Sequence, residues 1–332
     1  MALSGVRIQD RLLWMVDPSS RSDRSGRAER SLPPEVTIVE VGPRDGLQNE
    51  AAFVPTADKI AFVDRLSRAG HTRIEVSAFV NPRRVPQMAD AAEVFAGITR
   101  QPGVTYTALV PNLQGLSRAR DAMVDEISVF PAASESFSQR NLNQSVADAM
   151  AASRDVCTEA KNVGLRVRAY LSVAFGCPFE GPISPATVSE LAEQLIEFGA
   201  YEVAISDTIG IAHPGDVSGL LDVVSARIPV SKVALHFHDT RGMALVNVYA
   251  GLEAGVSTFD ASAGGLGGCQ YAPGATGNLA TEDLLYLLDG LGVATGVRLD
   301  AVAEASRALE PHVGHALPSR VLRALQTGQG RA

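Results

Sequence analysis

Tryptophan occurs once (Trp14), cysteine three times (Cys157, Cys177 and Cys269), and aromatic residues make up 5% of the 332-residue chain. Three cysteines without framework spacing exclude a disulfide scaffold, so a reducing, cytoplasmic setting is expected. No apolar run reaches the ~18 residues that a membrane helix needs, which leaves no membrane partner to expect. Positive charge is scarce as well, because 29 Lys and Arg stand against 37 Asp and Glu, for a net charge of -8. A chain without a basic face is not a general nucleic-acid binder, although an anionic small molecule needs only a local positive site. Phosphate loops of the GxxxxGK[ST] type are absent, and no GxGxxG follows the first strand pattern.

Residues 1–34 differ from the rest. They hold six arginines, four acids and the stretch "DPSSRSDRSGRAERSLPP". Asp10, Asp17, Asp23 and Glu29 argue against a transit peptide, which is poor in acids. We expect residues 1–34 to be a disordered extension with at most a short helix at 8–16. Residues 35–327 should form one domain.

From Val36 onward, short β-branched or apolar runs recur at 36–42, 73–80, 105–111, 126–134, 166–175, 201–208, 232–239 and 258–265. Amphipathic helical patterns separate most of them. In "SPATVSELAEQLIEFG", Ser184 suits the N-cap, Pro185 the first helical position and Gly199 the C′ position. Val188, Leu191 and Leu195 form one helical stripe. Eight strands alternating with helices fit either an open doubly wound sheet or a closed barrel. The polar residues choose between them. Arg44 and Asp45, Glu75 and Ser77, Asn112, Ser134 and Glu135, Asp207, and His236 with His238 stand at or near the ends of six different strands. An open sheet gathers a site from two or three strand ends, whereas a barrel gathers all eight. The expected fold is therefore a TIM (β/α)8 barrel, with additional C-terminal helices over 284–327.

Three stretches carry chemistry. In "ALHFHD", His236 and His238 are two apart on a strand and face one side, which at the barrel mouth points to a metal. Asp45 and the amide of Asn278 add oxygen donors, a mixture that suits six-coordinate Mg²⁺ or Mn²⁺. "VGPRDGLQNE" presents Arg44 and Asp45 in a tight turn, with Glu75 placed to orient the guanidinium. "GLGGCQYAPGATGNLATED" sets Cys269 in a run too small and glycine-rich to be core, as a mobile loop with a reactive thiol would be. Cys157 belongs to a helical core face, and Cys177 follows the fifth strand, where it could line the site. His71, His213, His312 and His315 are expected at the surface or in caps.

These residues together resemble the 3-hydroxy-3-methylglutaryl-CoA lyases, a family of the barrel metallolyases. The resemblance runs from about Glu35 to Leu299 through "VEVGPRDGLQNE", "FVNPRRVPQMAD", "FGCPFEG", "SDTIG", "HFHDTRGMAL" and "GGLGGCQYAPGATGNLATEDLLYLLDGLG". One departure is Cys269-Gln270, where the family usually reads Cys-Pro. The resemblance implies Asp45, His236, His238 and Asn278 as ligands of the cation. It implies Arg44, Glu75, Asp207, His236 and Cys269 as chemical residues, with His236 or Asp207 as the base and Gln48 lining the pocket. The partner it implies is an acyl-CoA substrate, and the assembly a homo-oligomer, in the first place a dimer. The expected reaction is cleavage of 3-hydroxy-3-methylglutaryl-CoA to acetyl-CoA and acetoacetate. Its rivals are a lyase for a related 3-hydroxyacyl-CoA such as citramalyl-CoA, an acetyl-CoA-dependent 2-alkylmalate synthase, and a non-catalytic barrel.

Overall fold

A computed structural model describes residues 32–268 and 277–329. The expected disordered extension and Cys269 with its loop therefore lie outside the described residues, apart from 32–34 and the flanking glycines.

Eight parallel strands close into a barrel: β1 (Thr37–Glu40), β2 (Arg73–Ala78), β3 (Thr105–Leu109), β4 (Glu126–Val129), β5 (Arg166–Leu171), β8 (Glu202–Asp207), β9 (Val233–Phe237) and β10 (Thr258–Ala261). A two-stranded ribbon, β6 (Gly176–Cys177) with β7 (Gly181–Pro182), interrupts the alternation after β5. Closure pairs β1 with β10 as well as with β2, so β1, β10 and β9 are consecutive around the ring. That order brings the Arg44-Asp45 turn, the histidine strand and the chain after β10 to one arc of the mouth.

Outer helices follow the barrel strands: α1 (Thr56–Arg68), α2 (Ala91–Gly97), α3 (Leu113–Asp121), α4 (Glu135–Leu142), α5 (Val146–Asn162), α6 (Pro185–Glu197), α7 (Pro214–Ser225), α8 (Ala244–Glu253) and α9 (Thr281–Leu291). Two more, α10 (Leu299–Val313) and α11 (Arg320–Gln329), extend the C-terminus, and α10 packs on α1. The sequence signals for α6 hold. Ser184 occupies the N-cap position, Pro185 begins the helix, and Val188, Leu191 and Leu195 are buried. Gly199 takes φ +113°, a left-handed conformation that a side chain would strain. Among the described residues, no helix is long and apolar enough to cross a membrane.

The barrel interior is not purely apolar. Arg168, 1% exposed, donates to Asp260 at 2.7 Å and to Glu202 at 2.7 Å. Glu202 also accepts from Arg73, which donates to Tyr201 in turn, and the Tyr201 hydroxyl donates to Glu126. Buried charges survive only when paired in this manner. At the end of β1, Glu40 accepts from the backbone N–H groups of Gly42 and Ala263 and from the Thr281 hydroxyl. His71, expected at the surface, is instead 1% exposed, with Nε2 3.6 Å from Glu40. It follows the close of α1 and is carried under β1 by the short entry into β2.

Candidate metal centre and active site

The chain leaves β1 in a single tight turn. The N–H groups of Arg44, Asp45 and Gly46 all donate to the Val41 carbonyl, which winds Gly42–Gly46 into a π-helical turn. Pro43 cannot donate, so its place at the start of the turn leaves no bond unmade. Arg44 and Asp45 are thereby presented to a cavity of about 690 Å³ at the carboxyl ends of the strands. Gln48, Asn112, Tyr170, His236 and His238 line the same cavity.

Arg44 donates to Asp45 at 2.6 Å and to Glu75 at 2.8 Å. Burial disfavours its charge, but Glu75 and Asp45 outweigh that and raise its pKa, so the guanidinium stays ionised. The Tyr170 hydroxyl donates to Glu75 at 2.7 Å, fixing the carboxylate that aims the arginine. Burial also works against the Asp45 carboxylate. Arg44 first, then both imidazoles, bring it down to about 2.

Asp45, His236 and His238 form a group that could hold a metal ion, their ligand atoms all within 4.8 Å of one another. Asp45 Oδ2 lies 3.9 Å from the Nε2 atom of each histidine. That spacing is too long for a hydrogen bond and short enough for a shared cation. One further atom fits such an ion. Asn278 donates its amide to Asp45 at 2.8 Å and to the Leu266 carbonyl, leaving its buried Oδ1 without a hydrogen-bond partner. His238 Nδ1 is buried and unpartnered too, and burial followed by the neighbouring His236 pushes its ring down to about 4, which keeps it neutral. A low-pKa carboxylate at Asp45, a neutral imidazole at His238 and a free amide oxygen at Asn278 suit a divalent cation.

His236 Nδ1 lies 3.1 Å from Asp260, an outer partner that sets which nitrogen faces Asp45. Sequence reasoning missed Asp260, Tyr170 and Arg168. The only trace of them is alternation, since Arg168 and Tyr170 are two apart on β5 and so share the inner face.

Asp207 is placed differently from its neighbours. Its two oxygens accept from the backbone N–H groups of Ile211 at 3.0 Å and Ala212 at 2.9 Å, and the residue does not line the cavity. Burial raises its pKa. Asn112 and Ser134 cap α3 and α4, accepting from Gly115 and Phe137. Cys157 is core, as expected. Cys177 is buried in a satellite cluster against Ser134 and does not line the cavity. His213 caps α7, while His315 is exposed beside Glu50. Cys269 directly follows Gly268, which lines the cavity and whose carbonyl accepts from Asn49 at 2.9 Å.

Fold and site together define a (β/α)8 barrel with a candidate metal centre and a paired guanidinium in its mouth. A family model described as HMGL-like matches residues 35–309, and the chain belongs to that family. It is 50% identical over 295 residues to the 3-hydroxy-3-isohexenylglutaryl-CoA/hydroxy-methylglutaryl-CoA lyase of Pseudomonas aeruginosa, covering 89% of this chain and 98% of the relative. The crystal structure of hydroxymethylglutaryl-CoA lyase from Pseudomonas aeruginosa superposes with a TM-score of 0.88 at 49% identity, covering 90% of this chain and 99% of that one. A hydroxymethylglutaryl-CoA lyase from Acinetobacter baumannii, solved with coenzyme A and 3-methylmalate, gives a TM-score of 0.84 at 38% identity, covering 90% and 97%.

Proposed function

We propose that the chain is a hydroxymethylglutaryl-CoA lyase, cleaving 3-hydroxy-3-methylglutaryl-CoA into acetyl-CoA and acetoacetate. The single observation behind this reading is the convergence of the Arg44–Glu75 pair and the Asp45–His236–His238 group on one cavity. Similarity to lyases of that name supports it. Asp45, His236, His238 and Asn278 Oδ1 would hold Mg²⁺ or Mn²⁺. When bound, such an ion supplies a Lewis acid that orients the substrate and acidifies its tertiary hydroxyl.

The hydroxyl proton must pass to a base at the cavity wall. His236 lines that wall, whereas Asp207 has committed both oxygens to the 211–212 backbone and acts by fixing that turn. His236 could take the proton on Nε2 only while that nitrogen is off the ion, and Asp260 on Nδ1 would then stabilise the imidazolium. As the C–C bond breaks, negative charge moves onto the thioester oxygen. Arg44, held in place by Glu75 and Tyr170, stabilises that charge from a preorganised position. The enolate carbon then takes a proton, a role we give to the Cys269 thiol. It falls between Gly268, which lines the cavity, and Gly277, whose carbonyl accepts from the Asp239 N–H. We place the reaction in a reducing cytoplasm, consistent with the free, buried thiols of Cys157 and Cys177.

A coupled release assay tests the proposal on a panel of thioesters: 3-hydroxy-3-methylglutaryl-CoA, a longer-branched homologue and citramalyl-CoA. Acetoacetate and acetyl-CoA should appear in equal amounts from the first. Greater turnover of citramalyl-CoA, or consumption of an oxoacid with acetyl-CoA, would replace this reading with one of its rivals.

A further inference from the structure

The short segment 315–320 touches the chain after β1, after β10 and after β9, the three strands that bring the candidate ligands together. His315 Nε2 lies 2.8 Å from Glu50, on the chain that follows Asp45. Leu317 is buried against Gly264 at the exit of β10, where a Cβ would meet Leu317 Cδ1 at 2.6 Å. The Ser319 N–H donates to the Gly264 carbonyl at 3.0 Å. Arg320, the first residue of α11, donates to Asp239 at 2.8 Å, and Asp239 directly follows His238.

Asp283, a buried carboxylate of α9 that the chemistry does not use, fastens this segment. It accepts from Ser319 Oγ at 2.7 Å, from the Val321 N–H at 2.8 Å and from the Arg320 N–H at 3.1 Å. A carboxylate there satisfies N–H groups that the opening turn of α11 cannot pair within the helix, which fixes the place of Arg320.

Asp239 is tied in three ways. Its Oδ2 accepts from Arg320, its Oδ1 accepts from the Ala244 N–H at the start of α8, and its own N–H donates to the Gly277 carbonyl at 3.0 Å. The Leu279 N–H donates to the Phe237 carbonyl at 2.9 Å, and between these two bonds His238 and Asn278 stand as an antiparallel pair. Two bonds make a weak ladder. A slip of one residue would turn Asn278 to the other face, away from the imidazoles.

We propose that Arg320 is a positioning residue for the metal centre: acting through Asp239, it holds the 277–279 chain in register with His238 and so places the Asn278 amide oxygen for the ion. This rests on the metal-dependent reading above. The Arg320 side chain is 60% exposed, so its ion pair adds little to global stability, and its effect belongs to the ion.

The test is a Mn²⁺ titration of the full chain followed by electron paramagnetic resonance, beside denaturant unfolding of the same samples. Arg320→Gln should lose about fivefold in Mn²⁺ affinity, less than the loss of a ligand's direct partner would cause, with its unfolding midpoint unchanged. Arg320→Lys keeps a charge within reach of Asp239 and should recover most of that loss. Asp239→Asn keeps the Ala244 cap through Oδ1 but faces Arg320 with an amide nitrogen that cannot accept. In that background Arg320→Gln should cost nothing further. Wild-type affinity in Arg320→Gln, or a loss that comes with a lower unfolding midpoint and that lysine does not restore, would overturn the role. A wild type that binds no Mn²⁺ overturns it together with the metal reading. A chain that shows these differences in affinity but cleaves no thioester keeps the positioning role and loses the lyase reading.

Discussion

At the scale of single residues, the site depends on how side chains hold one another rather than on any one group. Arg44 is aimed by Glu75, which is itself fixed by the Tyr170 hydroxyl. An ammonium cannot bridge Asp45 and Glu75 while also facing substrate. Arg44→Lys should therefore reduce turnover by roughly 10²-fold, the size of effect expected for a lost transition-state donor. Steady-state kinetics should find the loss in kcat and little of it in KM, and an unchanged kcat would remove Arg44 from the chemistry. Asp260 acts one step further out, through His236. Asp260→Asn keeps the shape but weakens the acceptor, and should lower Mn²⁺ affinity by about 10–100-fold. A Mn²⁺ titration followed by electron paramagnetic resonance reads this directly, and wild-type affinity would contradict the assignment.

At the scale of elements, the turn after β1 is tied to the chain after β10 through Glu40. Burial pushes the Glu40 carboxyl up from its usual 4.5 to about 8. The folded protein thus keeps a proton that the unfolded chain gives up. That contribution to stability is complete below pH 4.5 and is lost as pH rises through 8. His71 runs the other way, because burial brings it down from 6.5 to about 4, so its contribution is lost as pH falls through that range. Between pH 6.5 and 8 the Glu40 slope stands alone of the two. Thermal melts should show the wild type losing stability with rising pH there and Glu40→Gln losing less. Parallel slopes would contradict a neutral Glu40.

The elements were also the most legible level of the sequence. All eight barrel strands fall inside the expected runs, because β-branched residues between glycine-closed helices leave few alternatives. Their ends were read too long. β4 stops at Val129 and β1 at Glu40, where Pro131 and the π-helical turn at Gly42 divert the chain. The ribbon at 176–182 was missed, since two-residue strands have no period to detect. His236, His238, Asp45, Arg44 and Glu75 were legible as polar groups at the ends of several strands, which a barrel gathers at one mouth, although Asp207 and Ser134 share that signal and serve the backbone instead. Tyr170, Asp260 and Arg168 were not, because their partners come from strands far apart in sequence, and only the closed ring brings these together. His71 read as a surface residue because a polar side chain beside a glycine marks a turn, and nothing local reveals what packs over it.

At the scale of the whole molecule, the barrel is held open to chemistry at one end by a charge network through its middle. Arg168 links Asp260, behind the candidate metal centre, to Glu202, which Arg73 joins toward the other end. Removing the arginine strips Asp260 of its guanidinium and leaves Glu202 with Arg73 alone, so Arg168→Ala should cost about 3–5 kcal/mol of stability. Denaturant unfolding measures the loss, and a change below about 1 kcal/mol would show that the network is not a structural spine. The same network joins the candidate metal centre to the barrel interior. Asp260 serves both, accepting from Arg168 within the barrel and partnering His236 at its mouth.

The central claim is that a divalent cation on Asp45, His236 and His238 makes the cleavage possible. The most direct measurement is acetoacetate release by protein stripped with a chelator and then titrated with Mg²⁺ or Mn²⁺. The account predicts no product from the stripped protein, full recovery on adding the metal, and no recovery in Asp45→Ala. Undiminished acetoacetate release from the metal-free wild type would contradict it.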